Sequence, residues 1–437
     1  MLPNSVTHSS LDLFQKPPVL VNFDYANVQK VFPTSGYDGP DIEFELKTDR
    51  NVFLDLQDIS LAINIEISNP TLTTDAQRNA WDPVHMIANN HLHSIFSGCD
   101  VLLNGETVSH SNGLYAHKAF LTTEWSHTTG CKEAILSCQG YKYERDPSTP
   151  ATVKRERYGA GGNAPKRYHL YGRLAVDFFN CEQLLLPKSH LRIKLEKAKK
   201  DFVLIQEPIP NTADNADLQK PYQAGSIHFK ITKAILFAKQ MVVSENVYSS
   251  IEKAWMKSPA KYNFIETEAK TSVIPRGQNV YVRENVFNNK PIRSMVIAMN
   301  TNTAFQGNIE HNPFNYQKFG LKRVIVSRNG IPIYDIDTDE NSSANVQAFH
   351  TTMKSLHFGH DGPGIKLSDY PHHFVIALDL TATNQSNSEI YYPELTGGAI
   401  TLQLEFNDEL ADSVEVLTLG EYLTTVYLKN TGEVYKE

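Results

Sequence analysis

Apolar and polar residues alternate strictly along several stretches of this sequence. The alternation is clearest in four segments, which are Asp41–Lys47, Leu61–Ile67, Leu191–Leu195 and Ile400–Phe406. A period of two places one face of a strand on a hydrophobic core and the other toward solvent, as is typical of antiparallel sheets. Strands and helices do not alternate regularly, so a parallel α/β sheet is not expected. The sequence therefore predicts an all-β protein.

Two Asn-Gly pairs lie between apolar runs, at Asn104-Gly105 in the first half and Asn329-Gly330 in the second. Asn-Gly accepts the positive φ angles of a two-residue type I′ turn, so each pair predicts a tight hairpin. A helical stretch follows each hairpin, Tyr115–Trp125 in the first half and Ser343–Phe358 in the second.

The order of features stays the same after each helix. Both halves continue with an apolar strand that contains an acidic residue, then a proline and an alternating strand, and finally a β-rich run. The acidic strands are Gly172–Phe179 and Phe374–Leu380, and the closing runs are Ile227–Val243 and Val414–Leu428. This shared order, at low sequence identity, predicts a diverged duplication of one β-domain.

The length of 437 residues suits two domains of roughly 200 residues each. The predicted division is an N-terminal arm over 1–40, a first β-domain over 41–243, a linker over 244–277 and a second β-domain over 278–437. The linker includes an amphipathic stretch at Val247–Trp255. Gly140–Lys166 and Glu207–Gly225 have the composition of long loops, which commonly carry recognition surfaces.

Charge and cysteine content exclude several functional classes. The net charge is −8, whereas a protein that mainly binds nucleic acid needs clustered basic residues. The four cysteines have neither zinc-site nor disulfide-framework spacing, so we expect free thiols in a reducing compartment. The N-terminus lacks a basic segment followed by an apolar run, so no signal peptide is expected. No stretch of about 18 apolar residues occurs, so no membrane span is expected either.

The histidines of the first half resemble part of a metal site. His85, His91 and His93 lie close together, and a cupin-like site would use a His-x-His pair followed by a glutamate. Ser97 and Gly98 stand where that glutamate would be. Ordinary polar roles are therefore favoured over metal binding.

The acidic run Asp335–Asp339 begins like a calcium-binding loop. An EF-hand needs Gly at the sixth position and Glu at the twelfth, where this sequence has Glu340 and Val346. An acidic turn before a helix is favoured, because anions suit a helix N-terminus. A weak structural cation remains an alternative.

A second histidine cluster lies further along the chain, near Asp361 and Asp369. Its members are His357, His360, His372 and His373. No nucleophile motif such as G-x-S-x-G accompanies them, so catalysis is not favoured. Imidazoles titrate near neutral pH, which leaves pH-sensitive assembly as an alternative.

One loop is locally basic. It contains Lys154, Arg155, Arg157, Lys166 and Arg167, with Tyr158 and Tyr168 interleaved. Such a patch can contact nucleic acid, but Glu144, Asp146 and Glu156 balance it, and a solvated loop is favoured. The sequence has no P-loop and no Rossmann fingerprint. No catalytic, cofactor-binding or metal-binding residue is predicted.

Three blocks, taken in order, resemble one protein family. They are Leu11–Pro18, Gly172–Asn180 with its continuation to Leu195, and Asn312–Tyr316 before Val324–Tyr334. They resemble the double jelly-roll major capsid proteins of Polinton/Maverick elements and the related adintoviruses. The likeness extends over essentially the whole chain, although Cys181-Glu182-Gln183 and the loops depart from it.

The resemblance implies two tandem antiparallel eight-stranded jelly rolls with short helices in the loops. It implies a homotrimer, or hexon, of pseudo-hexameric outline that tiles an icosahedral shell around double-stranded DNA. The implied partners are neighbouring capsomers, a penton or minor capsid protein and, weakly through the basic loop, packaged DNA. The implied location is the virion capsid, with synthesis in the host cytoplasm and assembly in the nucleus or cytoplasm. Neither enzymatic activity nor a cofactor is expected.

Two other functions remain alternatives. A two-domain β-sandwich could bind carbohydrate, which would require aromatic residues along an exposed groove. A bicupin enzyme would require a complete metal triad.

Overall fold

The computed structural model describes residues 22–68, 85–144, 147, 166–206, 228–338, 344–356, 362–386 and 397–437. Its sheets are antiparallel throughout the described residues, and its helices are short segments between strands. None of the described helices is both long and apolar enough to cross a membrane.

Ten strands belong to the first half of the chain. They are β1 (Phe23–Val31), β2 (Asp41–Lys47), β3 (Val52–Ser68), β4 (His85–Ile87), β5 (Phe96–Leu103), β6 (Glu106–Ser109), β7 (Lys166–Arg173), β8 (His190–Lys197), β9 (Leu204–Gln206) and β10 (His228–Val243). One sheet has the order β1-β10-β3-β7 and the other the order β2-β8-β5-β6. The short strands β4 and β9 pair with each other.

Nine strands belong to the second half. They are β11 (Ala260–Ile274), β12 (Val280–Arg283), β13 (Ser294–Thr301), β14 (Leu321–Arg328), β15 (Ile331–Asp337), β16 (Val375–Asp379), β17 (Ile400–Phe406), β18 (Val414–Leu428) and β19 (Val434–Lys436). One sheet has the order β11-β18-β13-β16 and the other the order β12-β17-β14-β15. The short strand β19 pairs with β18.

The two halves repeat one topology. Without the short pairs, each half has eight strands in chain order, arranged in one sheet as 1-8-3-6 and in the other as 2-7-4-5. Two four-stranded antiparallel sheets connected in this way form a jelly roll. The chain is therefore a double jelly roll, and the predicted all-β fold class is confirmed.

Seven α-helices lie between the described strands. They are α1 (His91–Ser94), α2 (Tyr115–Trp125), α3 (Thr129–Glu133), α4 (Lys200–Val203), α5 (Glu245–Trp255), α6 (Asn302–Phe305) and α7 (Ala344–Ser355). Three 3₁₀ segments accompany them, at Ile135–Gln139, Asp177–Asn180 and Tyr370–His372. Helices α2 and α7 hold equivalent positions, between the fifth and sixth strands of their jelly rolls, where the sequence predicted them.

The predicted alternation and both hairpins are confirmed. In β2, every second residue from Ile42 to Leu46 is buried, and these residues face the inner residues of β8. Asn104 and Asn329 have φ angles of 51° and 53°, and the glycine after each also has a positive φ. These are the angles that a type I′ turn requires.

The predicted strand at Gly172–Phe179 is wrong. Strand β7 ends at Arg173, and the chain then turns into the 3₁₀ segment Asp177–Asn180. The turn carries Asp177 to the backbone N–H of Thr267 in the second half, at 2.8 Å. A short apolar run does not distinguish a buried strand from a buried turn, because both exclude water from every side chain.

Strands and a helix also occur in the two segments that the sequence predicts to be an arm and a linker. Strand β1 lies within residues 1–40, and both α5 and β11 lie within residues 244–277. Strand β11 pairs with β18 along its whole length, so the second jelly roll begins at Ala260. Most residues in the middle of β11, from Glu266 to Ser272, are polar. The alternation of apolar and polar residues that would indicate a strand is therefore not visible there.

The cores of the two jelly rolls interlock. One buried cluster contains most apolar residues of the first half together with Tyr262 and Phe264 of β11. The other contains most apolar residues of the second half together with Phe120 and Trp125 of α2. Each core therefore includes buried side chains of the other half, and the two jelly rolls are in direct contact.

Candidate assembly surfaces

Helix α2 of the first jelly roll packs an aromatic face on the second. The His117 ring stacks on Phe305 with centroids 4.0 Å apart, and Phe120 stacks on Phe314 at 4.3 Å. His117 Nδ1 and the Tyr316 hydroxyl form a hydrogen bond of 2.8 Å. Burial lowers the pKa of His117 to about 3, so the ring is uncharged at neutral pH and packs as an aromatic group.

The 3₁₀ turn after β7 forms a second contact, with the first strand of the second jelly roll. Asp177 Oδ2 accepts hydrogen bonds from the Thr267 N–H at 2.8 Å and from Lys118 Nζ at 2.5 Å. Burial raises the pKa of the Asp177 carboxyl, and Lys118 opposes that rise. The neighbouring Phe178 ring lies 5.5 Å from Phe264 in an edge-on arrangement.

A buried hydrogen-bonded pair, Glu124 of α2 and His373, joins the two jelly rolls. His373 Nδ1 lies 3.0 Å from Glu124 Oε1, and both side chains are almost completely buried. Lys132 Nζ donates to the backbone carbonyls of Glu124 and of Pro363, the latter at 2.7 Å. Burial lowers the pKa of the Lys132 ammonium to about 8. Because the polar side chains at this contact are buried, they depend on each other and on nearby carbonyls for hydrogen-bond partners.

Strand β1 is at the edge of its sheet and is bare within the described part of the chain, where no strand pairs with its outer side. It pairs with β10 on one side, and seven of its nine residues are exposed. Tyr25 and Val28 are 61% and 58% exposed, and Phe32, just after the strand, is 61% exposed. An exposed edge strand that carries apolar side chains is a template for association with another chain.

The outer faces of the two 2-7-4-5 sheets both carry ion pairs, but they differ in their exposed apolar residues. In the first jelly roll, β2 and β8 form a ladder of opposite charges, with Lys194–Asp41 at 3.0 Å and Arg192–Glu43 at 3.1 Å. In the second jelly roll, the edge strand β12 exposes Val280 and Val282. Charged ladders favour a solvated surface, whereas exposed valines favour contact with another apolar surface.

An apolar groove of 480 Å³ opens where the first jelly roll meets α5 and the beginning of β11. Phe23, Leu184, Val247, Ile251 and Trp255 are among the residues that line it.

The histidines of the first half have structural partners. His91 Nδ1 lies 2.7 Å from the Ala88 carbonyl oxygen, and His93 bonds to the Tyr115 hydroxyl and the Gln139 side chain. Burial lowers the pKa of His93 to about 4. The side chain of His85 lies outside the described part of the molecule. No group of three or more potential metal-ligating side chains occurs among the described residues.

The acidic run after β14 forms a strand and an ion pair. Asp335 accepts two hydrogen bonds from the Arg323 guanidinium, at 2.7 and 2.6 Å, across the β14–β15 pair. Asp337 ends β15, and Thr338 donates to the Leu321 carbonyl. The predicted acidic turn is thus a strand over Asp335–Asp337, because its residues pair with β14. Asp339 lies outside the described residues.

The second histidine cluster and the basic loop are described only in part. His373 forms the buried hydrogen bond with Glu124, and Asp369 accepts from the Tyr143 hydroxyl at 3.2 Å. Within the basic loop, Arg167 pairs with Glu66 at 3.0 Å, while Tyr168 is buried in β7 and does not present an exposed ring. The residues of these two groups that lie outside the described parts of the chain are His357, His360, Asp361, Asp146, Lys154, Arg155, Glu156, Arg157 and Tyr158.

Sequence reasoning did not predict the bare strand β1 or the contact between the halves. A signal for β1 exists in the run from Phe23 to Val31, which has apolar residues at intervals and lacks proline. No comparable signal marks the contact, because His117, Phe120 and Phe314 look like ordinary core residues in the sequence.

The fold and these surfaces define the class of double jelly-roll proteins whose two barrels pack side by side. No protein-family profile matches the sequence. A curated relative, an uncharacterised protein of Caenorhabditis elegans, is 21% identical over 296 residues, which span 67% of this chain and 65% of the relative. The matched part is thus less than two thirds of that protein.

Solved structures with the same fold come from viruses. A chain of the Sputnik virophage structure matches with a TM-score of 0.66 at 11% identity, covering 100% of this chain and 93% of that chain. The mavirus major capsid protein matches with a TM-score of 0.59 at 9% identity, covering 99% and 94%. The faustovirus major capsid protein matches with a TM-score of 0.54 at 9% identity, covering 96% and 92%. These likenesses establish the shared fold.

Proposed function

We propose that this chain is a viral major capsid protein that forms a homotrimeric, pseudo-hexameric capsomer. The observation that supports this most is the exact repetition of one strand order in two jelly rolls packed side by side. Three such chains supply six similar barrels around one threefold axis, which suits a hexagonal site in a shell. The capsid proteins of mavirus and faustovirus have the same fold over nearly the whole chain.

The character of the surfaces agrees with an assembly role. Val280, Val282 and Ile331 are exposed on the two edge strands of the second 2-7-4-5 sheet, with Ile331 70% exposed. We propose that these edges contact neighbouring capsomers, since apolar edges are unfavourable in water. A catalytic role is not part of the proposal.

The finer assignment rests on the sequence blocks quoted above. We propose that the protein belongs to the Polinton/Maverick and adintovirus lineage, and that its shell encloses double-stranded DNA and includes a penton or minor capsid protein. The proposed location is the virion capsid.

The test is the mass and shape of the purified full-length chain. Light scattering coupled to size-exclusion chromatography should give about 148 kDa, three times the 49.2 kDa of one chain. Negative-stain images should show hexagonal particles with threefold symmetry. A 49.2 kDa monomer at micromolar concentration would contradict the proposal.

A further inference from the structure

We infer that β1 is the docking site for the second jelly roll of another copy of this chain. The inference rests on the proposed trimer and names the surfaces that join its protomers. It follows from a difference between two equivalent strands of the same molecule.

The first strands of the two jelly rolls differ in how they are covered. Strand β11 has three exposed residues among its fifteen, whereas β1 has seven among its nine. Both strands are edge strands of a 1-8-3-6 sheet and pair with the eighth strand of their own jelly roll. The difference therefore comes from what lies outside each sheet.

Strand β11 is covered by the first jelly roll of the same chain. The Thr267 N–H donates to Asp177, and Phe264 contacts Phe178. Beside these contacts, α2 stacks on the second jelly roll through His117 and Phe120. The covering surface consists of α2 and the turn after the sixth strand, so the contact joins unlike surfaces of two like barrels.

A contact between unlike surfaces can be repeated, because each barrel keeps one copy of both surfaces. Within the chain, the first jelly roll uses its helix and the second uses its first strand. The helix of the second jelly roll, α7, and the first strand of the first jelly roll, β1, take no part in this contact. Repeating the contact between chains would bring these two remaining surfaces together.

The helix of the second jelly roll has the exposed stripe that this role requires. In α2, Thr122 is the single exposed residue, since the helix lies between both barrels. In α7, Val346, Gln347, His350 and Lys354 are exposed. These four residues share one helical face at intervals of three and four, as do His117, Phe120 and Glu124 in α2.

The composition of β1 favours a protein partner over solvent. The strand contains no proline, and Asp24 and Lys30 are its two charged residues, so the usual protections of an edge strand are sparse. Nine extended residues span about 30 Å, a length that suits a standard interface of about 800 Å² per partner.

The first experiment compares two double variants in the full-length chain. Tyr25→Asp/Val28→Asp places two charges on β1, and Val280→Asp/Val282→Asp places two charges on the edge strand β12, at residues that are also about half exposed. We expect the β1 variant to elute as a monomer of 49.2 kDa and the β12 variant to remain a trimer of about 148 kDa. Circular dichroism and thermal unfolding confirm that each variant folds, as expected for exposed positions.

The second experiment tests whether the contact joins unlike surfaces. Val346→Asp/His350→Asp on α7 should also give a monomer. A mixture of the β1 variant and the α7 variant should give a heterodimer of about 98 kDa, because each supplies the surface that the other lacks. If β1 instead paired with β1 of another copy, the mixture would contain no heterodimer and the inference would fail.

The outcomes separate the inference from the proposed function. A wild-type monomer would overturn the proposed trimer. A wild-type trimer that persists in the β1 variant would overturn the inference alone, and would mean that another partner or another segment of the chain covers β1. Dissociation of the β12 variant in place of the β1 variant would assign the interface to β12.

Discussion

The two jelly rolls share one strand order, and yet their surfaces have become different. The first strand of the second barrel, β11, is covered by the other barrel, whereas the first strand of the first barrel, β1, is bare. The outer 2-7-4-5 sheet carries ion pairs in both barrels, and in the second barrel it also exposes two valines on its edge strand. The two barrels thus share the topology that builds their cores and differ at their surfaces.

The contact between the barrels and strand β1 also contribute differently to the stability of the folded chain. Residues at the contact between the barrels, such as Phe120 and Phe314, are as buried as core residues. Residues on β1 contribute little to the folded monomer, because most of their area stays in water. Substitutions at the contact between the barrels should therefore lower stability more than association. Substitutions on β1 should lower association more than stability.

The largest expected effect on stability is at the covered contact. Phe314→Ala removes a ring that stacks on Phe120 and is 2% exposed, so the free energy of unfolding should fall by about 3–5 kcal/mol. Phe32→Ala, at a residue that is 61% exposed and follows β1, is the matched control and should change it by less than about 0.5 kcal/mol. Urea denaturation followed by circular dichroism measures both. Equal losses in the two variants would break the distinction between the two regions.

The next effect is a dependence of stability on pH at the same contact. Folding lowers the pKa of His117 from 6.5 to about 3. Below pH 6.5 the unfolded chain therefore binds a proton that the folded chain does not bind, and stability falls as pH falls. The slope attributable to this residue reaches about 1.4 kcal/mol per pH unit and ends near pH 3.

His117→Phe removes this titration and keeps an aromatic ring against Phe305. Its urea midpoint should depend less steeply on pH between 6.5 and 4 than that of the wild type. His93, whose pKa is lowered to about 4 inside the first barrel, serves as a second reporter away from Phe305. Identical slopes in the His117→Phe variant and the wild type would show that His117 binds a proton as readily in the folded chain as in the unfolded chain.

The smallest effect is expected on the charged ladder of the first barrel. Arg192→Ala removes the ion pair with Glu43, whose partners are 44% and 27% exposed. Pairs this exposed to solvent contribute about 0–1 kcal/mol, and salt screens them. The difference in unfolding free energy from the wild type should therefore be small at low salt and vanish at about 1 M NaCl. A loss that persists at high salt would mean that the ladder supports packing as well as charge pairing.

Much of the fold was predictable because its signals are local. Period-two alternation identified β2, β8 and β17, and the Asn-Gly pairs identified both hairpins, since each depends only on neighbouring residues. The helix at Tyr115–Trp125 was predicted with the bounds that it has in the structure. Errors fell where a segment serves both barrels, at the turn Asp177–Asn180 and in β11, whose residues face neighbours that lie far away in the sequence.

The candidate assembly surfaces were less predictable, because they also depend on residues that lie far apart in the sequence. His373 and Glu124 are 249 residues apart in the sequence, and nothing local indicates that they form a buried pair. The exposure of Tyr25 and Val28 is likewise invisible in the sequence, because the same letters in β11 would be covered.

The sequence by itself determined that the chain forms strands, where most of them turn, and that one order of elements occurs twice. These properties follow from the periodicity and turn preferences of adjacent residues. The tertiary structure alone decided which first strand is covered and which is bare, since burial depends on the packing of one barrel against the other.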